Sequence, residues 1–185
     1  FFLFREVPFG NDGDFSKGAI AQRVNADLSN NFGNLIQRIA SFVIKNSNST
    51  VSKPLKMEEL DEKLIQSFNQ IFKIYLNQME SFQIDRALKN IFGFLSEVNA
   101  YVDEQAPWSL KKINNKRMQD VLYNVTLLTI KCSVLMYPVI PSSIDKILNI
   151  YNLSLKDFNF KKLNDFNPDI IKLNKPHPIF PRIDL

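Results

Sequence analysis

Pro107-Trp108 sets the only tryptophan of the chain directly behind a proline, and Lys111, Lys112, Lys116 and Arg117 follow with no acidic residue between Ala106 and Gln119. An aromatic face flanked by cations is the chemistry that stacks unpaired bases and neutralises the phosphates between them. A hydrophobic plug closing a helical bundle is the commoner use of a Pro-Trp pair at a helix end, so the pair alone leaves both uses open. A second pattern is Asn34-Leu35-Ile36-Gln37-Arg38. Residues four apart on a helix project side by side, so Asn34 and Arg38 share a face. An amide offers a donor and an acceptor and a guanidinium offers a fork of donors, which suits the edges of unpaired bases. The same spacing also makes an ordinary hydrogen-bonded surface pair, and position has to decide between them.

Residue types suited to catalysis or metal binding are sparse elsewhere. The single histidine, His177, lies between Pro176 and Pro178 with no cysteine or second histidine to share a metal, so no metal site is expected and it reads as a solvated tail residue. No glycine-rich phosphate loop and no Ser or Cys nucleophile motif occurs. The acidic loop Asn11-Asp12-Gly13-Asp14 lacks the ligand alternation and closing glutamate of a calcium loop, and turning and capping is its expected role.

The elements that would position these residues are helical. With 185 residues and 45% hydrophobic content the chain is long enough and apolar enough for a proper core, and a net charge of +4 permits a polyanionic partner without demanding one. Ser16 is a good N-cap, and Ile20, Val24 and Leu28, then Leu35, Ile39, Phe42 and Val43, read as a helix pair with Gly33 as a break or kink. Asn46 to Pro54 has the composition of a solvated connection. Three strong helices are expected over about Glu58 to Ser81, Ile84 to Asp103 and Lys116 to Tyr137, each with an apolar seam, and a shorter one from Ser142 to Tyr151. The proline-rich end, Lys175 to Arg182, should lie along the bundle as an extended strap. Outside the first few residues no period-two run argues for a sheet, so the expected fold class is all-α, an up-and-down helical bundle with an irregular N-terminal segment and an extended C-terminal tail.

The chain opens on Phe1 in what reads as an extended apolar segment, as if it were a piece of something longer. Arg5 and Glu6 break that segment at once, so neither a signal peptide nor a membrane span is expected. Cys132 is the only cysteine, which precludes an intramolecular disulfide and fits a reducing compartment, with cytoplasm the default.

Four stretches together carry a family resemblance. Arg5-Glu6-Val7-Pro8-Phe9-Gly10-Asn11-Asp12-Gly13-Asp14-Phe15-Ser16 resembles the segment after the catalytic domain in methionyl-tRNA synthetases, a family of class I aminoacyl-tRNA synthetases. The resemblance continues in Phe32-Gly33-Asn34 through Arg38, in Asn99-Ala100-Tyr101 through Pro107-Trp108, and in Lys175-Pro176-His177-Pro178-Ile179-Phe180-Pro181-Arg182-Ile183-Asp184, so it covers essentially the whole chain. Phe32, Tyr137, Val139, Ile179 and Asp184 depart mildly from the commonest pattern.

The resemblance implies that residues 1–15 connect a catalytic domain to the bundle and help transmit tRNA docking, that residues 16–153 form the anticodon-binding bundle, and that residues 154–185 are a tail packed on it. It implies that the bundle reads the CAU anticodon of methionine tRNA, with Trp108 stacked on a base and Asn34 and Arg38 on base edges. Phosphate contacts by Lys111, Lys112, Lys116 and Arg117 are inferred from charge and adjacency, not from the resemblance. The parent enzyme would join methionine to its tRNA through an adenylate made from ATP, with magnesium. The family performs that step with a His-Ile-Gly-His-like motif and a Lys-Met-Ser-Lys-Ser-like loop, and the chain has neither, so binding without catalysis and without a cofactor of its own is expected. A monomeric parent is expected if Leu185 is the natural end. The competing readings are a helical scaffold for a protein partner, with Trp108 in the core, and a general RNA-binding bundle indifferent to the anticodon bases.

Overall fold

The rings of Phe1 and Phe2 draw the first residues onto the bundle and wind them into a short helix, α1 (Phe2–Glu6), where the sequence reads as extended. Phe1 meets Phe92 edge-on at 5.6 Å, Phe2 is buried, and Arg5 Nε donates to Asp27 at 2.9 Å. This is a computed structural model, and it describes residues 1–13 and 15–184. Asp14 of the acidic loop and Leu185 lie outside the described residues.

Ser16 caps the first long rod, its Oγ accepting from the Ala19 N–H at 3.1 Å. The rod comprises α2 (Lys17–Arg23), a π-helical stretch (Val24–Gly33) and α3 (Asn34–Asn46) without interruption. Gly33 is therefore not the expected break. Its backbone is ordinary helix (φ −63°, ψ −43°), and what it supplies is space: a Cβ there would lie 2.9 Å from the Leu28 carbonyl oxygen and 3.1 Å from the Phe180 ring. The wide π turn, in which the Asn34 N–H reaches back to Ser29 O, lets the rod continue through this crowded point.

The expected solvated connection contains a strand, β1 (Thr50–Ser52). Helix α4 (Glu59–Glu80) follows behind a reciprocal cap between Glu58 and Asp61, and α5 (Ile84–Gln105) packs back along it. On α4, Phe72 is buried and its neighbour Ile71 is only partly covered. A short helix not expected from the sequence, α6 (Pro107–Ile113), links α5 to α7 (Asn115–Met136). Helix α7 is buried on every side from Val121 to Met136, so it is the axis of the molecule, not a one-faced seam. Two of its buried hydroxyls turn back on the helix backbone: Thr129 and Ser133 donate to the carbonyls of Val125 and Thr129, each at 2.7 Å.

Pro141 opens α8 (Pro141–Ile150) at its first position, where a missing N–H costs nothing. The chain then passes through two 3-10 turns to β2 (Ile170–Lys172), which pairs antiparallel with β1 in the register Thr50 to Lys172, Val51 to Ile171 and Ser52 to Ile170. Three-residue strands are too short to announce themselves by alternation, and Val51 and Ile171 are buried in the common core. The tail straps the rod. Phe180 packs on Phe32 at 5.9 Å, and the Asn25 side chain exchanges two 2.9 Å hydrogen bonds with the Ile183 backbone. The fold is thus all-helical apart from this one small sheet, and among the described residues no helix is long and apolar enough to cross a membrane.

Candidate nucleic-acid interface

Trp108 owes its position to the turn between α5 and α6. Ala106 ends α5 in the left-handed region (φ +43°, ψ +64°), its N–H still bonded to Val102 O at 2.9 Å, and buried Pro107 starts α6. The chain therefore changes direction sharply and presents the indole at the surface, 43% exposed. The guanidinium of Arg38 lies against that indole, 5.8 Å from the ring centroid. The two sequence patterns, separated along the chain, meet in one place.

Arg38 is held for this contact. Its Nη1 donates to Asp103 Oδ1 at 2.9 Å and its Nη2 to Asn99 Oδ1 at 3.3 Å, both on the face of α5 nearest the rod. Asn99 in turn donates to Asn31 Oδ1 at 2.9 Å, and Asn31 donates to Ser96 Oγ at 3.0 Å and Phe92 O at 3.1 Å. This ladder locks α5 against the rod and leaves further N–H groups on both Arg38 Nη atoms. Asn34 is exposed one turn away on the same helix face. It lines a cleft of about 240 Å³ with Asn30, Gln37, Pro178, Phe180 and Arg182, so the tail forms one of its walls.

The cationic run divides. Lys111 and Lys112 at the end of α6 and Lys116 at the start of α7 are exposed and form no ion pair among the described residues. Arg117 does not join them, which corrects the expectation of a phosphate contact there. Its side chain is 6% exposed and grips buried Asp61 at 2.6 and 2.8 Å. Burial opposes both charges, yet each sustains the other. The Arg117 pKa is raised by Asp61, and the Asp61 carboxyl is held below the usual carboxylate range by Arg117, the Tyr101 hydroxyl and the Glu58 N–H.

Residues 51–181 match the family model described as the anticodon binding domain of methionyl tRNA ligase. The chain belongs to this family. Residues 1–40 also match the model for class I tRNA synthetases of the methionine type. The methionine–tRNA ligase of Rickettsia felis is 35% identical over 168 residues, 88% of this chain and 32% of that protein. That of Brucella suis is 35% identical over 183 residues, 98% of this chain and 36% of that protein. The chain thus spans about a third of the length of these curated relatives. The apo crystal structure of Mycobacterium tuberculosis methionyl-tRNA synthetase superposes with a TM-score of 0.92 at 32% identity, covering 100% of this chain and 38% of that one.

Within the anticodon-binding domain, the sequence singles out Asn34, Arg38 and Trp108 as candidates but not the residues that hold Arg38. Asn99 and Asp103 are four apart on α5, and Ser96 is three before Asn99, a polar stripe that could have been read as facing the rod. Asp61 gave no such signal, because an acidic residue in the first turn of a helix is ordinarily a solvated cap.

Proposed function

We propose that this chain reads the CAU anticodon of methionine tRNA for a methionine–tRNA ligase of which it is part. The observation that carries this is the Arg38 guanidinium laid against the half-exposed Trp108 ring at 5.8 Å. A base stacking on the open side of the indole would place its edge within reach of the Arg38 donors, with Asn34 one turn further along to take a neighbouring base. Lys111, Lys112 and Lys116 would meet phosphates of the same loop. Residues 16–153 serve as the anticodon-binding bundle, residues 154–185 as the tail walling its cleft, and residues 1–15 as the connection to the catalytic domain. Phe4, Phe9 and Phe15 leave an exposed apolar surface there that suits such a neighbour.

The parent, a cytoplasmic monomer in this reading, would attach methionine to the tRNA at the expense of ATP with magnesium. Among the described residues no three His, Cys, Asp or Glu side chains group closely enough to hold a metal ion. In this reading the adenylate chemistry, with its ATP and magnesium, is assigned to the catalytic domain, because the chain has neither the His-Ile-Gly-His-like motif nor the Lys-Met-Ser-Lys-Ser-like loop.

Trp108 is the only indole, so its fluorescence reports on the site directly. Titration with a methionine-tRNA anticodon stem-loop should quench and saturate, and changing the anticodon should weaken binding about tenfold or more, as stacking and edge contacts worth roughly 1–3 kcal/mol require. Asn34→Ala and Arg38→Ala should narrow that difference. Equal affinity for both loops would reduce the site to a general basic surface, and absence of binding would favour a protein scaffold.

A further inference from the structure

The stretch from Ala106 to Asn114 leaves the bundle between α5 and α7 and carries Trp108, and one side chain joins its two ends. Arg117, in the first turn of α7, donates from Nε at 3.1 Å and from Nη2 at 2.6 Å to Oε1 of Gln105, the last residue of α5. The opposite side of the guanidinium is anchored by Asp61 at 2.6 and 2.8 Å, and Asp61 also accepts from the Tyr101 hydroxyl and from the Glu58 N–H at 3.0 Å. At the other end of the stretch, Asn114 Oδ1 accepts from the Arg117 N–H at 3.0 Å. The first turns of α4 and α7 and the last turn of α5 are thus tied together beneath α6.

Gln105 stands immediately before Ala106, whose left-handed backbone an L-residue rarely keeps unless its surroundings fix it. A stacking platform also works only if its plane is set to within a small angle, which requires neighbours whose own side chains are locked. We propose that Arg117 and Gln105 form a clamp that sets the position of Trp108 against Arg38, with Asp61 as its anchor. They are positioning residues for anticodon reading, an inference that rests on the function proposed above. Their role is through Trp108 and not through contact with a base: Arg117 is buried, and Gln105 directs its acceptor at Arg117.

Gln105→Leu in the 185-residue chain tests the clamp, because it removes the acceptor and leaves the Asp61–Arg117 pair intact. Gln105→Ala is the second variant should leucine fit poorly, and Gln105→Glu keeps an acceptor oxygen in place. Two readouts are taken: acrylamide quenching and anisotropy decay of Trp108 without RNA, and the ratio of affinities for the CAU loop and an altered loop. Without the acceptor, Trp108 should become more mobile and more quenchable, and the ratio should fall about fivefold or more, the lower end of what a lost stacked base costs. Gln105→Glu should restore both. Wild-type Trp108 mobility and an unchanged ratio in Gln105→Leu would overturn the clamp, as would a fallen ratio with Trp108 mobility unchanged. If the wild-type chain itself does not distinguish the loops, the proposed function fails, and Trp108 mobility alone decides the clamp.

Discussion

Arg117 and Asp61 meet in a two-point contact, Nη1 to Oδ2 at 2.6 Å and Nη2 to Oδ1 at 2.8 Å, with the aspartate fully buried and the arginine side chain nearly so. The pair joins the first turn of α7 to the first turn of α4. Breaking it strands a charge in the core.

Arg117→Met is expected to cost about 3–5 kcal/mol, because Asp61 is left buried without its partner. The effect depends on pH with a definite sign. Asp61 titrates lower in the folded chain than its unfolded value of about 3.9, so its stabilising contribution is complete above that pH and is lost as pH falls through the folded value. Urea unfolding midpoints should therefore show the full gap between wild type and variant at neutral pH and a narrowing gap below about pH 4.

Lys131 is the opposite case, a buried cation with no carboxylate at contact distance among the described residues. Its Nζ donates to Asn164 O at 2.9 Å and lies 5.5 Å from the Phe68 ring centroid, and burial pulls its pKa down to about 8. Below that pH the ammonium is charged both folded and unfolded, so the burial penalty opposes folding in full. As pH rises from there toward the unfolded value of about 10.4, the folded state sheds its proton first and stability recovers. Lys131→Met should raise stability near neutral pH by on the order of 2 kcal/mol, and the gain should shrink toward about pH 9.5. An equal gain at both pH values in urea melts would contradict this.

Gly33→Ala should cost about 1–3 kcal/mol, since the added methyl meets a backbone carbonyl at 2.9 Å and the Phe180 ring at 3.1 Å. The ring can yield more readily than the helix backbone, so the tail should lift. Limited proteolysis should then cut beyond Asn174 sooner than in wild type, while α5 and α7 keep their protection.

Replacing Lys111, Lys112 and Lys116 together by glutamine should lower the slope of log affinity against log salt for the anticodon loop by about 2 and leave the preference for CAU intact. Trp108→Ala should do the reverse, flattening the preference while the slope stays. Filter binding at several salt concentrations separates the two.

The helices that carry the site were legible because their apolar residues recur every three and four positions, and Pro107, Pro138 and Pro141 mark where that pattern must stop. Asn34 and Arg38 were legible as a shared face for the same reason. The small sheet was not legible, since each strand is three residues and its partner lies at the far end of the chain. Helix α7 reads as one-faced in isolation, and only neighbours on all sides make it central.

The sequence by itself determined the helical character, the family, and which residue types could stack on or read a base, because these depend on periodicity and on chemistry that each side chain carries wherever it sits. Tertiary structure decided which of those residues are available. Arg117 has the same charge as Lys116 beside it, yet Asp61, 56 positions earlier, draws it into the core while the lysine stays in water. Trp108 could have been a plug, and the turn at Ala106 brought it out to meet Arg38. Burial and pairing across distant segments are properties of the packed chain, and no local spacing encodes them.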